Sequence, residues 1–230
     1  MIFSILDQLQ DNPQAAIAFL AAVIVALGTG LVFHEFCHAW SAYQLGDDTA
    51  ARQGRLTLNP LKHLDPVGSA MMLIIGFGWA RPTPVNVYRL RYGPVRGGAI
   101  VSAAGPLSNF VIAAMAALPL KLGVVDGISN LDALSDARGS EIVGVFLFFL
   151  ALYNVLLGVF NLIPIPPLDG FAVLQPVLPR AVRQQLAGLQ QWGPALLIGL
   201  FVISFATQGR INPIGNLFRP FVDFVFRFLS

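Results

Sequence analysis

Apolar positions along this chain come in long unbroken runs, without the alternation that marks a half-buried strand or a one-sided helix. From Ala15 to Phe33 there is no charged residue. A hydrocarbon core of about 30 Å takes about 20 helical residues at 1.5 Å each, so runs of this length read as membrane spans. The pattern predicts spans at about 15–40, 98–120 and 142–163, and a shorter fourth at about 192–207. The apolar stretch from Val67 to Trp79 is too short and too rich in glycine (Gly68, Gly76, Gly78) for a straight span, which predicts a re-entrant or hairpin segment over about 67–88. Within it, Arg81-Pro82-Thr83-Pro84-Val85-Asn86-Val87-Tyr88 is expected to be extended, because each proline biases the residue before it away from helix. The tail at about 211–229 is apolar but broken by Arg219, Pro220, Asp223 and Arg227, and is expected at the membrane interface. The predicted fold is an all-α polytopic membrane protein, one membrane-embedded domain over residues 1–230 with a three-helix core.

Composition supports this reading. Of 230 residues, 56% are hydrophobic and 11% charged, which excludes an ordinary soluble domain. Seven of the 14 Lys and Arg residues (Arg52, Arg55, Lys62, Arg81, Arg89, Arg91, Arg96) fall between the first and second spans, so that linker is expected in the cytoplasm. The next linker sets Asp126, Asp132, Asp136 and Glu141 against Lys121 and Arg138 and is expected outside. The N-terminus is then outside, in the inner or plasma membrane of a prokaryotic cell. Asp7 and Asp11 stand where a signal peptide carries basic residues, so the first span is expected to stay attached. The clustering accounts for a pI near 9.0 without a nucleic-acid partner. Cys37, the single cysteine, excludes an intramolecular disulfide.

The chemistry begins at His34-Glu35-Phe36-Cys37-His38, at the end of the first apolar run. Histidines at i and i+4 lie about 40° apart around a helix, so both imidazoles reach one ion while Glu35 stands beside them to handle a water molecule. Zinc suits nitrogen ligands and, in catalytic sites, keeps one position open. Two histidines and a glutamate in an apolar span are costly unless paired or ligating, which makes a functional site the default reading. A third ligand is needed, and His63, Asp65, Cys37, Asp47 and Asp169 are candidates. Asp169 stands out because Pro164, Pro166 and Pro167 unwind the helix ahead of it and Gly170 permits a close turn. The alternative for Asp169 is a cap on the short helix that follows. His63 and Asp65 also fit turn construction, and Cys37 fits a small buried hydrophobe.

With those residues in view, the chain resembles the site-2 proteases, zinc intramembrane metalloproteases, of the compact kind without a PDZ domain. The resemblance rests on His34-Glu35-Phe36-Cys37-His38, Gly46-Asp47, Gly54-Arg55-Leu56-Thr57-Leu58-Asn59-Pro60 with His63 and Asp65-Pro66. It continues through Gly78-Trp79-Ala80-Arg81-Pro82, Gly105-Pro106-Leu107-Ser108-Asn109, and Asn161 through Asp169-Gly170. It implies one zinc ion per chain held by His34, His38 and Asp169, Glu35 as general base, and Asn161 as a partner for the substrate backbone or oxyanion. Asn109 is a second candidate there, with a helix-to-helix hydrogen bond as its structural alternative. Arg81 stands where relatives often have lysine. The implied reaction is cleavage of a transmembrane or membrane-adjacent segment of another protein, with the active site toward the cytoplasmic side. Two rivals remain at this level: a membrane zinc carrier or sensor built on the same ligands, and an inactive scaffold that only binds membrane segments.

Overall fold

A computed structural model describes residues 12–75, 78–127, 139–188 and 190–229. Asp7, Asp11, Gly76, Asp132, Asp136 and Arg138 lie outside them. The described helices are α1 (Pro13–Gln44), α2 (Thr49–Arg52), α3 (Pro60–His63), α4 (Pro66–Ile75), α5 (Gly93–Lys121), α6 (Ser140–Asn161), α7 (Asp169–Leu174), α8 (Arg180–Ala187), α9 (Gly193–Ala206) and α10 (Pro213–Leu229). Three of them, α1, α5 and α6, are long and apolar enough to cross a membrane. The protein is an all-α polytopic membrane protein, and no strand forms among the described residues.

Helix α1 starts where Asn12 accepts the Ala15 N–H at 3.1 Å and Pro13 takes the first helical position, where a missing N–H costs nothing. Its 32 residues make a rod of about 48 Å, which places His34 about 30 Å from its start, the depth of a hydrocarbon core. Helices α1, α5 and α6 pack together around Phe19, Val23, Ala116, Leu120, Val145, Phe148 and Phe149, with the Phe19 and Phe149 rings edge to face at 4.7 Å. Apolar burial drives helix association weakly in lipid, so close packing through small residues takes over. A Cβ at Gly30 would meet Asn154 Oδ1 at 2.8 Å and Leu157 Cδ1 at 2.9 Å, and one at Gly158 would meet the Phe110 ring at 2.8 Å. Glycine is what lets these three helices touch.

The segment expected as a re-entrant or hairpin unit is built differently along its length. Residues 66–75 are helix α4, started by Asp65 Oδ1 accepting the Gly68 N–H at 2.9 Å, and one antiparallel bridge joins Leu64 to Ala80. Residues 81–86 then run without helix or strand, and are fixed at both ends. The Arg81 N–H donates to His63 O at 2.7 Å, and the Arg55 guanidinium holds the carbonyls of Lys62, Arg81 and Pro82. At the far end the Asn86 N–H donates to Asp47 Oδ2 at 2.7 Å, while the other oxygen of this fully buried carboxylate takes the Thr49 N–H and hydroxyl. Beside it, Asp48 pairs with Arg52 and Arg89. Desolvation pushes the Asp48 carboxyl up, but Arg52, with Arg89 behind it, outweighs this and holds it below the usual carboxylate range.

The C-terminal third departs from simple spans. Helix α9 has 14 residues, about 21 Å, short of a full crossing. The stretch expected at the interface is α10, which runs antiparallel to α6: Phe218 faces Phe160 at 6.1 Å and Phe226 faces Phe148 at 4.6 Å. Arg219, Asp223 and Arg227, four apart, share the exposed face, while Phe218, Val222, Val225 and Phe226 supply the packed one.

Candidate metal centre

The unwound end of α6 carries Asp169 to the two histidines of α1. Helix α6 stops at Asn161, the chain turns through Pro164, Pro166 and Pro167, and α7 begins at Asp169. Gly170 and Phe171 are buried, and a Cβ at Gly170 would collide with the Leu162 and Ile163 carbonyls, so glycine is required for the turn to close. Asp169 Oδ2 lies 3.0 Å from His34 Nε2 and 3.2 Å from His38 Nε2. Among the described residues these three form the group able to hold a metal ion, their ligand atoms all within 4.8 Å of one another.

Both rings are fixed by the nitrogen that faces away from Asp169. His38 Nδ1 is 2.8 Å from the Val101 carbonyl, which only accepts, so Nδ1 carries the proton. His34 Nδ1 is 2.8 Å from Asn109 Oδ1. The Asn109 orientation follows from its own partners, since Nδ2 donates to Gly30 O at 3.1 Å and to Asn154 Oδ1 at 3.2 Å. Asn154 in turn donates to Leu150 O at 3.0 Å. Each imidazole therefore turns Nε2 toward the Asp169 carboxylate. Two unprotonated Nε2 atoms beside the carboxylate would turn three lone pairs toward one another, a conflict that a bound cation resolves. A tetrahedral zinc with bonds of about 2.0 Å has ligand atoms about 3.3 Å apart, close to the two distances above, and partners on the remote ring nitrogens are the usual support of such ligands.

Helix α5 forms the back wall. A Cβ at Gly105 would lie 2.5 Å from His38 Nε2 and 2.6 Å from His34 Nε2, so any side chain there would enter the space where the donors converge. Glu35, buried beside its neighbours, accepts the Thr83 N–H on Oε2 at 2.8 Å, and the Thr83 hydroxyl donates to Glu35 O at 3.0 Å. The 81–86 segment is thus tied to the glutamate between the two histidines. His34, Glu35, His38 and Asp169 share a cavity of about 1590 Å³ with Thr83, Val85, Tyr153 and Asn161. That volume exceeds the range of about 300–1,000 Å³ for small-molecule pockets, and suits a polypeptide segment.

The other residues singled out from sequence fall elsewhere. Asn109 is fully buried with its amide committed to His34, Gly30 and Asn154, so the expectation of a substrate or oxyanion contact gives way to its alternative, the helix-to-helix hydrogen bond. Asn161 lines the cavity, with Nδ2 donating to Leu157 O at 3.0 Å and no partner for its second amide hydrogen among the described residues. His63 is fully buried with Nε2 on Thr57 O at 2.6 Å, and Asp65 starts α4, which is turn construction in both cases. Asp47 anchors the 81–86 segment, and half-buried Cys37 is outside the donor group. Thr83 carried no local sequence signal beyond the prolines around it.

Comparison with known proteins converges on the same stretch of chain. The description of peptidase family M50 matches residues 22–204, which contain every residue of the site. The chain is 40% identical over 186 residues to "Putative zinc metalloprotease YwhC" of Bacillus subtilis, covering 81% of this chain and 82% of that protein. It is 31% identical over 197 residues to "Putative zinc metalloprotease Rip2" of Mycolicibacterium smegmatis, covering 83% and 70%. No solved structure matches it.

Proposed function

The chain belongs to peptidase family M50 and is a zinc metalloprotease, and from that premise we propose that it hydrolyses peptide bonds in transmembrane or membrane-adjacent segments of other proteins. The observation that carries this reading is the meeting of His34, His38 and Asp169 with Glu35 in one large cavity, on helices apolar enough to lie in a bilayer. His34 and His38 through Nε2, and Asp169 through Oδ2, would hold the zinc ion. When bound, zinc supplies Lewis acidity, lowering the pKa of water toward about 7 and polarising the scissile carbonyl.

The remaining work belongs to the protein's own groups. Glu35 takes the proton from the attacking water and returns it to the leaving amine nitrogen, with Thr83 holding its carboxylate in place through Oε2. Asn161, at the end of α6, turns its second amide N–H to the carbonyl oxygen as charge develops there, a donation that contributes about 3 kcal/mol in comparable sites. A substrate helix hides its carbonyls and must unwind to be cut. The fixed 81–86 segment favours the extended form by offering backbone groups for strand pairing. The cluster of basic residues around that segment favours the cytoplasmic side of an inner or plasma membrane, with the N-terminus outside.

Purified Glu35→Gln protein tests the assignment. Zinc content should stay near one per chain while cleavage of a synthetic single-span polypeptide falls by about 100-fold or more. Retained zinc with cleavage at the wild-type rate would show that Glu35 is not the base, and a wild type that binds zinc but cleaves nothing would favour the carrier or sensor reading.

A further inference from the structure

Ser102 puts a hydroxyl into the cavity wall that the chemistry above does not use. It lies half-buried on α5, one turn before the Gly105 that backs the ligand atoms and next to Val101, whose carbonyl holds His38. Hydroxyls on helices usually turn back to a carbonyl three or four residues earlier. Those of Thr29 on α1, Ser108 on α5 and Ser204 on α9 do so, donating to Val25 O, to Gly105 O at 2.7 Å and to Leu200 O at 3.0 Å. The Ser102 hydroxyl has no partner among the described residues, and it is not one of the protein's sealed polar atoms, so it is open to the cavity that its residue lines. Alanine would serve helix α5 better, which leaves folding without a use for this hydroxyl.

Position supplies one. Val101 shares an apolar cluster with Val85 and Val87, and a Cβ at Gly98 would meet Val87 Cγ1 at 3.6 Å, so this stretch of α5 runs alongside the segment that carries Thr83 to Glu35. A substrate main chain laid along the 81–86 segment turns alternate carbonyls away from it, and in an apolar cavity each of these needs another donor. On the protease reading above, we propose that the Ser102 hydroxyl donates a hydrogen bond to a main-chain carbonyl of the substrate beside the scissile bond. Ser102 precedes Gly105 by about 4.5 Å along the helix axis, and an extended chain advances about 3.3 Å per residue, so the carbonyl lies one or two residues from the cut. Ser102 is then a substrate-contact residue that reads the main chain and favours segments unwound on that side of the cut, whatever their side chains.

The test compares Ser102→Ala with wild type in two backgrounds. The probe is a synthetic single-span polypeptide of about 20 apolar residues, broken by Asn-Gly near one end. A contact made equally in the bound substrate and the transition state acts through KM, so in the active background KM should rise about tenfold, equivalent to about 1.4 kcal/mol, with kcat little changed. In the Glu35→Gln background affinity for the same polypeptide should fall by a similar factor, while zinc content is unchanged and the melting temperature is equal or higher. KM and affinity both within twofold of wild type would overturn the proposal. So would a fall in kcat at unchanged KM or a loss of zinc, either of which would place the effect of Ser102 on the metal centre, and so would a lower melting temperature, which would make its hydroxyl part of the packing. If wild type cleaves nothing yet Ser102→Ala still weakens binding to the Glu35→Gln protein, the protease reading fails and the contact stands.

Discussion

Adding a single methyl group at Gly105 tests how closely α5 backs the donor cluster. An alanine Cβ there would sit 2.5 Å from His38 Nε2 and 2.6 Å from His34 Nε2, about 1 Å inside an ordinary heavy-atom contact of about 3.5 Å. Neither ring can yield freely, because His38 Nδ1 is held by Val101 O and His34 Nδ1 by Asn109. Helix α5 cannot retreat without taking both partners with it, since Val101 and Asn109 are on that helix. Overpacking of this kind costs about 1–3 kcal/mol, which a folded bundle survives. The site does not survive it as well: a displacement of about 1 Å in a reacting group costs about 100-fold in rate, and a disturbed ligand shell about 10- to 100-fold in metal affinity. Gly105→Ala should therefore purify folded, lose zinc to a chromophoric chelator at concentrations that leave wild type loaded, and cleave a single-span polypeptide at least about 100-fold more slowly. Gly28→Ala, on α1 where a Cβ meets nothing within 4 Å, is the control and should match wild type. Wild-type zinc affinity and rate in Gly105→Ala would refute the geometry, because the histidines and α5 would then have to be farther apart.

Other outcomes follow from the same contacts. Asn109→Ala removes the acceptor on His34 Nδ1 and the donor to Asn154 Oδ1, so zinc affinity measured by chelator competition should drop about 10- to 100-fold and the protein should lose about 1–3 kcal/mol of stability. Asp47→Ala frees the Asn86 end of the 81–86 segment by removing a charge-assisted hydrogen bond of about 1.5–3 kcal/mol. Limited proteolysis should then nick the chain near residues 84–92, and KM for a single-span substrate should rise with zinc content unchanged. An unaltered digestion pattern would show that Asp47 does not anchor the segment.

Local features explain what the sequence makes legible. His34 and His38 announce themselves because helical spacing alone puts them on one face, and Asp169 because three prolines and a glycine end an apolar helix just where a carboxylate appears. The three long helices follow from length and hydropathy. What sequence does not reveal depends on partners distant along the chain. Thr83 gains its role only because Arg55 and Asp47, 28 and 36 residues before it, pin its segment against Glu35. Asn109 has the amide chemistry of an oxyanion donor, and only the convergence of Gly30, Asn154 and His34 on it shows that its hydrogen bonds are already committed. Ser102 resembles any hydroxyl on an apolar helix until the absence of a partner for it among the described residues is seen. Helix α10 hides behind its charges, since four-residue spacing places Arg219, Asp223 and Arg227 on one face and leaves the other free to pack on α6.

The zinc X-ray absorption spectrum of the purified wild-type protein tests the central claim most directly. Two imidazole nitrogens and one carboxylate oxygen predict a first shell of nitrogen and oxygen scatterers at about 2.0–2.2 Å with imidazole outer-shell features, lost when Asp169 is replaced by alanine. A sulfur scatterer at about 2.3 Å, which would bring Cys37 into the shell, or a spectrum unchanged in Asp169→Ala, would contradict the account.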